Sequence, residues 1–234
     1  MITNLSVEHV VKKFKKKTAL HPISLSASSG ECIVLCGGNG AGKSTLLHIL
    51  AGFSKPSEGT VKINDINFIT ERKKYVSLLG YMPDEYHAGQ QLTVKEFLSF
   101  YGSFRNVPLE RVNEIIQLLG LEEKQNEEVK HLSKGMRQRL LFGQAILGKP
   151  KVLVMDEPTN GLDPFWINVF IEIVKSLKEN GTVIIFSTHM MDVAAEVGNQ
   201  ILFMEEGHLI KTFENDYKDS KTFTLELLSY FRKV

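Results

Sequence analysis

The stretch Gly37-Gly38-Asn39-Gly40-Ala41-Gly42-Lys43-Ser44-Thr45 fits the phosphate-binding loop pattern of a glycine, four residues and then Gly-Lys-Ser. The apolar run 32–36 before it predicts a buried strand, and the run 46–50 after it predicts a helix. In that context the backbone N–H groups surround phosphate oxygens, and the helix directs its positive end at them. Lys43 would reach the β- and γ-phosphates, and the Ser44 hydroxyl would bind Mg²⁺. A plain glycine-rich turn is the alternative, which the preceding strand and the downstream motifs disfavour.

The composition is that of an ordinary globular domain. The 234 residues are 43% apolar and 24% charged, with a net charge of +1. This balance gives no general electrostatic reason to expect nucleic acid as a partner, and none is expected. A local basic cluster, residues 12–17, is either a solvated hairpin edge or a surface for nucleotide or acidic groups.

The cysteine spacing argues against a disulfide, and the hydropathy argues against a membrane-spanning segment. Cys32 and Cys36 lie on one predicted strand, where their Cα atoms would be roughly 13 Å apart, too far for a disulfide. No apolar run approaches the ~20 residues of a membrane span, and the N-terminus lacks the features of a secretory signal. If the protein acts at a membrane, we expect another chain to span it.

Alternating strands and helices predict a parallel sheet with both faces covered. Short strands are predicted before residue 30, at 59–63, 75–81, 151–155 and 181–186, with a closing hairpin at 201–210. Residues 93–148 have helical character, beginning with Thr93 three residues before Glu96. Helices are also predicted at 167–179 and 192–197.

An apolar strand, residues 152–155, ends in the acids Asp156 and Glu157. Carboxylates at the mouth of a buried strand are costly unless they meet a cation or solvent. Asp156 fits a role in holding Mg²⁺ through water, and Glu157 fits a role in polarising an attacking water. An exposed strand end is the alternative, which loses weight once the phosphate loop is considered.

The segment Leu132-Ser133-Lys134-Gly135-Met136-Arg137-Gln138-Arg139 lies just before a predicted helix. Ser133 is a good N-cap, and its hydroxyl, the Gly135 backbone and the helix dipole form a possible second anion site. Taken alone, the segment would be a capped helix and nothing more.

Together these motifs resemble the ATP-binding cassette (ABC) family over residues 5–211, and Leu-Ser-x-Gly between the phosphate loop and the acidic strand is specific to that family. The resemblance implies an α/β fold: a P-loop NTPase core with a mainly parallel sheet, an N-terminal antiparallel β subdomain and an inserted α-helical subdomain. We expect a single domain, with residues 1–84 and 149–213 as the core, 85–148 as the helical subdomain and 214–234 as a C-terminal tail. The tail contains a possible short amphipathic helix that packs on the body or on a partner.

The resemblance also implies the cofactors ATP and Mg²⁺ and a role for each motif. Ser133 and Gly135 would contact the γ-phosphate held by the other subunit of a head-to-tail dimer, and Asp163 would lie in the loop across that interface. Phe14 would stack on adenine, although in isolation it suits simple hairpin packing. The implied catalytic residues are Glu157, His189 (the switch histidine) and Lys43; the nucleotide-binding residues are Phe14, Gly37, Gly38, Asn39, Gly40, Ala41, Gly42, Lys43, Ser44, Thr45, Ser133, Gly135 and Asp163; the metal-binding residues are Ser44, Asp156 and Asp84.

Two departures from the family pattern concern charge. Asp84 follows Pro83 where the family usually has Gln, so it adds a negative charge beside phosphate while remaining able to reach Mg²⁺ or water. Lys134 and Met136 replace the usual Gly and Gln. Lys134 either favours ATP-dependent closure or is exposed to solvent.

The resemblance implies the ATPase subunit of an exporter, attached to the cytoplasmic face of the membrane by a separate permease. Residues 85–104 would dock that permease through Tyr86, Phe97, Phe100, Tyr101 and Phe104, unless these aromatic residues are helix core. A soluble ABC-type ATPase in translation or DNA repair is the alternative, although one phosphate loop and no long insertion argue against it. A small-molecule kinase is the third possibility, disfavoured by the Leu-Ser-x-Gly segment. The sequence does not reveal the transported substrate.

Overall fold

A computed structural model describes residues 2–15, 17–85, 91–216 and 219–232. Its strands and helices, in chain order, are β1 (Asn4–Phe14), β2 (Lys17–Ser28), β3 (Cys32–Cys36), α1 (Lys43–Leu50), β4 (Glu58–Ile63), β5 (Ile66–Asn67), α2 (Arg72–Ser77), β6 (Leu79–Met82), α3 (Val94–Ser103), α4 (Leu109–Leu118), α5 (Lys134–Ile146), β7 (Val152–Met155), α6 (Pro164–Glu179), β8 (Val183–Ser187), α7 (Met191–Val197), β9 (Gln200–Glu205), β10 (His208–Glu214) and α8 (Ser220–Phe231). Two short 3₁₀ helices, Glu122–Lys124 and Val129–His131, precede α5.

The strands form two sheets. The antiparallel sheet has the order β2-β1-β4-β5, and the larger sheet has the order β10-β9-β3-β8-β7-β6. In the larger sheet every neighbouring pair is parallel except β9 and β10. The predicted fold class, a P-loop NTPase core with a mainly parallel sheet, an antiparallel β subdomain and a helical insertion, is therefore confirmed.

The central strands β3, β7 and β8 are buried along their whole lengths, as expected for parallel strands covered on both faces. Their side chains alternate between two cores. On β3, Val34 packs with the helices α3 to α8, whereas Ile33 and Leu35 pack with α1 and the antiparallel sheet. Because these strands are parallel, their carboxyl ends meet at one edge, where the chain places the phosphate loop, the acids and His189.

The prediction of a strand over residues 75–81 was wrong in its first half. Residues 75–77 finish α2, and the strand β6 begins only at Leu79. Tyr75 accounts for the apolar character of this stretch, because its ring is fully buried and its hydroxyl donates a 2.8 Å hydrogen bond to the carbonyl of Leu50. The apolar run thus marks a helix that packs on the core rather than an extended strand.

Local signals located several other elements correctly. Thr93 caps α3 in a reciprocal capping box with Glu96, and the hairpin β9–β10 turns at residues 206–207 as predicted. Both cysteines are free and buried. Among the described residues, no helix combines the length and the apolar character that crossing a bilayer requires. The division of the chain into residues 1–84, 85–148, 149–213 and 214–234 stays a prediction.

Candidate active site

A cavity of about 1110 Å³ opens at the carboxyl edge of the larger sheet. Residues 38–45 of the phosphate loop form its floor, and the other predicted site residues that line it are Phe14, Asp84, Asp156, Glu157 and His189. The structure therefore gathers residues from both sheets and from five separate segments of the chain. Phe14 is 52% exposed, and Nζ of Lys12 lies 4.8 Å from the centroid of its ring, so a flat ligand ring could stack on the face away from Lys12.

The phosphate loop has the close backbone packing that its glycines permit. A Cβ atom at Gly37 would lie 2.2 Å from the carbonyl oxygen of Met204, so the loop can approach β9 only with glycine there. Lys43 begins α1 and is buried, and its Nζ donates hydrogen bonds to the carbonyls of Gly37 at 2.7 Å and Gly38 at 3.2 Å. The ammonium group is thus held at the loop without a carboxylate partner in these bonds.

The two acids after β7 are fixed through a serine on the neighbouring strand. The Ser187 hydroxyl donates to Oδ1 of Asp156 at 2.6 Å and accepts from the backbone N–H of Glu157 at 2.9 Å. Glu157 has a left-handed backbone, with φ of 46°. This conformation is costly for a residue with a side chain and persists only where its surroundings enforce it, which is typical of functional sites.

The Glu157 carboxyl group is nearly buried and has a perturbed proton affinity. Burial raises its pKa to about 7, Lys43 opposes this shift, and Asp156 and Asp84 add to it. Oε1 of Glu157 lies 3.0 Å from Nε2 of His189, although no well-aligned hydrogen bond reaches this oxygen from the described residues. Burial also lowers the pKa of His189, so at neutral pH the imidazole is mostly uncharged.

Asp84 occupies the cavity wall beside these groups. Its Oδ1 accepts a 2.8 Å hydrogen bond from Nδ2 of Asn160, a residue that also lines the cavity. Sequence reasoning did not assign a role to Asn160, although it lies only three residues after Glu157. The bond joins the segment after β6 to the segment after β7, so the unusual aspartate has a defined neutral partner.

Oxygen donors suited to Mg²⁺ meet in this cavity. Ser44, Asp156 and Asp84 all line it, and hydroxyl and carboxylate oxygens are the ligands that Mg²⁺ prefers. No cluster of three or more metal-binding side chains of the His, Cys, Asp and Glu types occurs among the described residues. A set this sparse fits Mg²⁺, which binds through one or two carboxylates and completes its shell with phosphates and water.

Three other predicted residues, Ser133, Gly135 and Asp163, are not among the cavity-lining residues. Ser133 caps α5 by accepting from the backbone N–H of Met136 at 3.2 Å, and Asp163 caps α6 by accepting from that of Trp166 at 3.0 Å. A Cβ atom at Gly135 would lie 2.8 Å from the carbonyl oxygen of Gly161, so the first turn of α5 packs closely against the backbone of the loop before α6. These residues form one surface apart from the cavity. Lys134 is exposed on this surface, in agreement with the second of its two alternatives, exposure to solvent.

Several residues of the site were not predicted. Gln138 is buried on α5, and its Nε2 donates a 3.0 Å hydrogen bond to the carbonyl of Glu157; a polar residue on the apolar face of a helix is the signal that could have found it. Lys17 also lines the cavity, so the basic cluster of residues 12–17 contributes this lysine as well as Phe14. The remaining unpredicted lining residues are Thr18, Ala19, His21, Glu205 and Glu206.

A family model described as ABC transporter matches residues 20–160, more than half of the chain. The chain belongs to the ABC transporter family. It is 34% identical to the uncharacterized ABC transporter ATP-binding protein YxlF of Bacillus subtilis, covering 88% of this chain and 69% of that protein. It is 32% identical to the Nod factor export ATP-binding protein I of Ralstonia nicotianae, covering 88% and 65%, and 32% identical to the linearmycin resistance ATP-binding protein LnrL of Bacillus subtilis, covering 88% and 68%.

Solved structures agree with this assignment. The fold of this ABC protein matches an ATP-binding subunit of an ABC transporter with a TM-score of 0.86 at 24% identity, covering 96% of this chain and 99% of the other. It matches a dimeric bacterial ABC transporter cassette with a TM-score of 0.83 at 25% identity, covering 90% and 98%. This protein is thus an ATP-binding and ATP-hydrolysing subunit of an ABC transporter.

Proposed function

We propose that this ABC ATPase powers a separate membrane permease for export, through an ATP-driven head-to-tail dimer at the cytoplasmic face of the membrane. The observation that carries the proposal is the separation of Ser133, Gly135 and Asp163 from the cavity of their own chain. Residues that would grip a γ-phosphate lie on a different surface from the phosphate loop. A second copy turned head to tail would supply them, and a related cassette was solved as a dimer.

In the proposed reaction the residues of the cavity divide the work. The backbone N–H groups of residues 38–45 and the Lys43 ammonium would bind the phosphates, and Phe14 would stack on the base. Ser44 and Asp156 would hold Mg²⁺ with Asp84 nearby; the bound ion would neutralise phosphate charge. His189, whose Nε2 faces Glu157, would contact the γ-phosphate.

Glu157 is proposed to orient the attacking water and accept its proton. The water oxygen bonds to the γ-phosphorus as the bond from that phosphorus to the bridging oxygen breaks, so ADP and inorganic phosphate leave. A carboxyl group with a pKa near 7 is matched to this task at neutral pH. Its left-handed backbone, held by Ser187 and Gln138, fixes where the carboxylate points.

A second cavity, of about 610 Å³, is proposed to receive a short cytoplasmic helix of the permease. Its walls are largely aromatic and apolar and include Phe53, Tyr81, Pro83 and Tyr101. Pro83 adjoins Asp84, which lines the nucleotide cavity, so a helix seated here would sense the state of the nucleotide. Phe53 is 67% exposed, as expected for a ring that awaits a partner.

The aromatic residues predicted to dock the partner fall into different classes. Phe97 is fully buried and belongs to the core, so the core interpretation is correct for it. Phe100 and Phe104 are 51% and 70% exposed, pack edge to face against one another near the second cavity's Tyr101, and stay candidates for docking. Tyr86 lies outside the described residues.

The export direction is supported by the relatives, two of which are named for Nod factor export and linearmycin resistance. The competing function, a soluble ATPase in translation or DNA repair, has no such relative among those compared above.

A copurification experiment distinguishes the transporter function from the soluble one. The tagged Glu157→Gln variant, which should retain ATP, is expressed in its native host, and membranes are solubilised in mild detergent.

A multi-span membrane protein recovered in stoichiometric amount with ATP present supports the proposal and identifies the permease. Recovery of ribosomes or of a soluble partner in its place would refute the transporter function. The Glu179→Gln variant is the matched control, because Glu179 is exposed at the end of α6 and away from both cavities.

A further inference from the structure

The C-terminal helix α8 is firmly attached to the body of the protein. Asp219 caps it by accepting from the backbone N–H of Thr222 at 3.1 Å. Phe223 and Leu227 are fully buried in the core shared with α7. A helix held by two buried apolar side chains has a fixed position, so the groups at its far end are fixed too.

The far end of α8 is held by an aromatic cluster. The Tyr230 ring lies 4.9 Å from that of Phe203 on β9 and 5.3 Å from that of Phe213 on β10, centroid to centroid. The Phe231 ring lies 6.2 Å from that of Phe203. These separations are those of favourable edge-on and tilted ring pairs. The cluster therefore defines where the half-buried Phe231 ring stands.

Phe231 in turn meets His189. Their ring centroids are 6.5 Å apart with an angle of 57° between the planes. His189 projects from the loop after β8 with its side chain 44% exposed, and its Nε2 reaches Oε1 of Glu157 at 3.0 Å. The imidazole therefore has the carboxyl group beside one of its nitrogens and the Phe231 ring tilted against it.

We infer that Phe231 is a positioning residue for His189, and that α8 thereby takes part in setting the geometry of hydrolysis. This inference rests on the proposed function, because it assumes that His189 acts on the γ-phosphate. Phe231 is not among the residues that line the nucleotide cavity, so it acts through the imidazole rather than on ATP. An imidazole with 44% exposure and no ring beside it would sample more rotamers and lose the approach to Glu157.

The test compares Phe231→Ala, which removes the ring, with Phe231→Leu, which restores bulk. Leu225→Ala is the matched control, because Leu225 lies on the same helix and is 68% exposed. We expect Phe231→Ala to lower kcat on the order of tenfold with KM for ATP within about twofold, because small misplacement of a catalytic group slows the chemical step steeply. Phe231→Leu should recover part of the loss, and Leu225→Ala should match the parent chain.

A second readout needs no catalysis. The imidazole signals of His189 are followed by NMR against pH in the nucleotide-free full chain and assigned by their loss in His189→Gln. The charged groups that face this imidazole are Glu157, Lys43 and Asp84, and none of the Phe231 variants alters them. Phe231→Ala should raise the His189 pKa toward its ordinary value as water reaches the ring, whereas Leu225→Ala should not.

Unchanged kcat and unchanged His189 titration in Phe231→Ala would overturn the inference. So would a fall in kcat accompanied by a lower melting temperature and an unaltered His189 titration, since Phe231 would then act only in folding. The proposed function is tested separately, because loss of hydrolysis in Glu157→Gln does not depend on any Phe231 variant.

Discussion

The side-chain amide of Gln138 donates a 3.0 Å hydrogen bond to the backbone carbonyl of Glu157. Gln138 lies one turn along the helix that Ser133 begins, whereas Glu157 lies in the cavity that the same chain builds. In a head-to-tail dimer these would serve opposite nucleotides. Within each subunit, this hydrogen bond therefore links the helix that would contact one nucleotide to the proposed catalytic base that would act on the other nucleotide.

Gln138→Leu should lower both activity and stability. The substitution replaces the amide with an apolar side chain of similar size and removes one of two donors to the carbonyl of Glu157, which keeps its 3.1 Å hydrogen bond from the backbone N–H of Asn160. The expected cost is therefore that of one hydrogen bond, about 0.5–1.5 kcal/mol. Phosphate release and chemical denaturation measure the two effects. Gln117→Leu, at an exposed position on α4, is the control and should be close to neutral. Full activity in Gln138→Leu would show that the bond has no part in placing Glu157.

Glu157→Gln should reduce hydrolysis roughly 10²–10⁴-fold, the usual contribution of a general base, while ATP binding persists. The trapped ATP should shift the protein to a dimer in size-exclusion chromatography with multi-angle light scattering. Retention of near-normal turnover would assign the base to another group. Glu179→Gln, which changes the charge equally at an exposed position, should behave as the parent chain.

The raised pKa of Glu157 also predicts how stability depends on pH. Because burial raises the folded-state pKa to about 7 while the unfolded value is 4.5, the carboxyl group favours folding below pH 4.5 and this contribution is lost as pH rises through 7. Glu157→Gln should therefore gain stability relative to the parent chain between pH 5 and pH 8, by at most about 3 kcal/mol and less after solvent screening. Urea denaturation of both proteins without nucleotide, at pH 5 and at pH 8, measures this gain. The same difference in unfolding free energy at the two pH values would contradict the prediction.

Asp84→Gln, which installs the residue usual in the family, should move the activity profile to lower pH. The Asp84 charge helps to raise the pKa of Glu157, so its removal should let the base ionise at a lower pH. The amide oxygen of Gln can still accept a hydrogen bond from Asn160, so the variant removes the negative charge without removing the acceptor. The acidic limb of kcat/KM against pH reports the change. Asp84→Asn should shift it in the same direction, and a limb that stays in place in both variants would exclude this effect of Asp84.

Phe53→Ser combined with Phe104→Ser should abolish permease copurification while the isolated subunit keeps its ATPase activity. Both rings are more than 60% exposed, so their loss removes a docking surface rather than core packing. Leu225→Ser, at a comparably exposed position on α8, should retain the permease. Copurification that survives the double substitution would place the docking surface elsewhere.

Features encoded by neighbouring residues were predictable from the sequence. The phosphate loop, the acids after β7 and the caps at Thr93 and Ser133 each depend on a few adjacent positions. Contacts between distant segments were not predictable: Asn160 meets Asp84 across 76 residues. The error at residues 75–77 has the same origin, since only the tertiary contact of Tyr75 with Leu50 distinguishes a buried helical turn from a strand.

The cysteines of β3 have a practical consequence. Both thiols are fully buried, and burial raises their pKa to about 12, so the reactive thiolate is scarce at neutral pH. These are the two cysteines of the 234-residue chain, so we expect little background labelling of this chain by maleimides or thiol-reactive spin labels. A cysteine introduced at exposed Glu179 would carry the probe alone, and distances between two such probes would report opening and closing of a dimer without mutation of the strand beneath the phosphate loop.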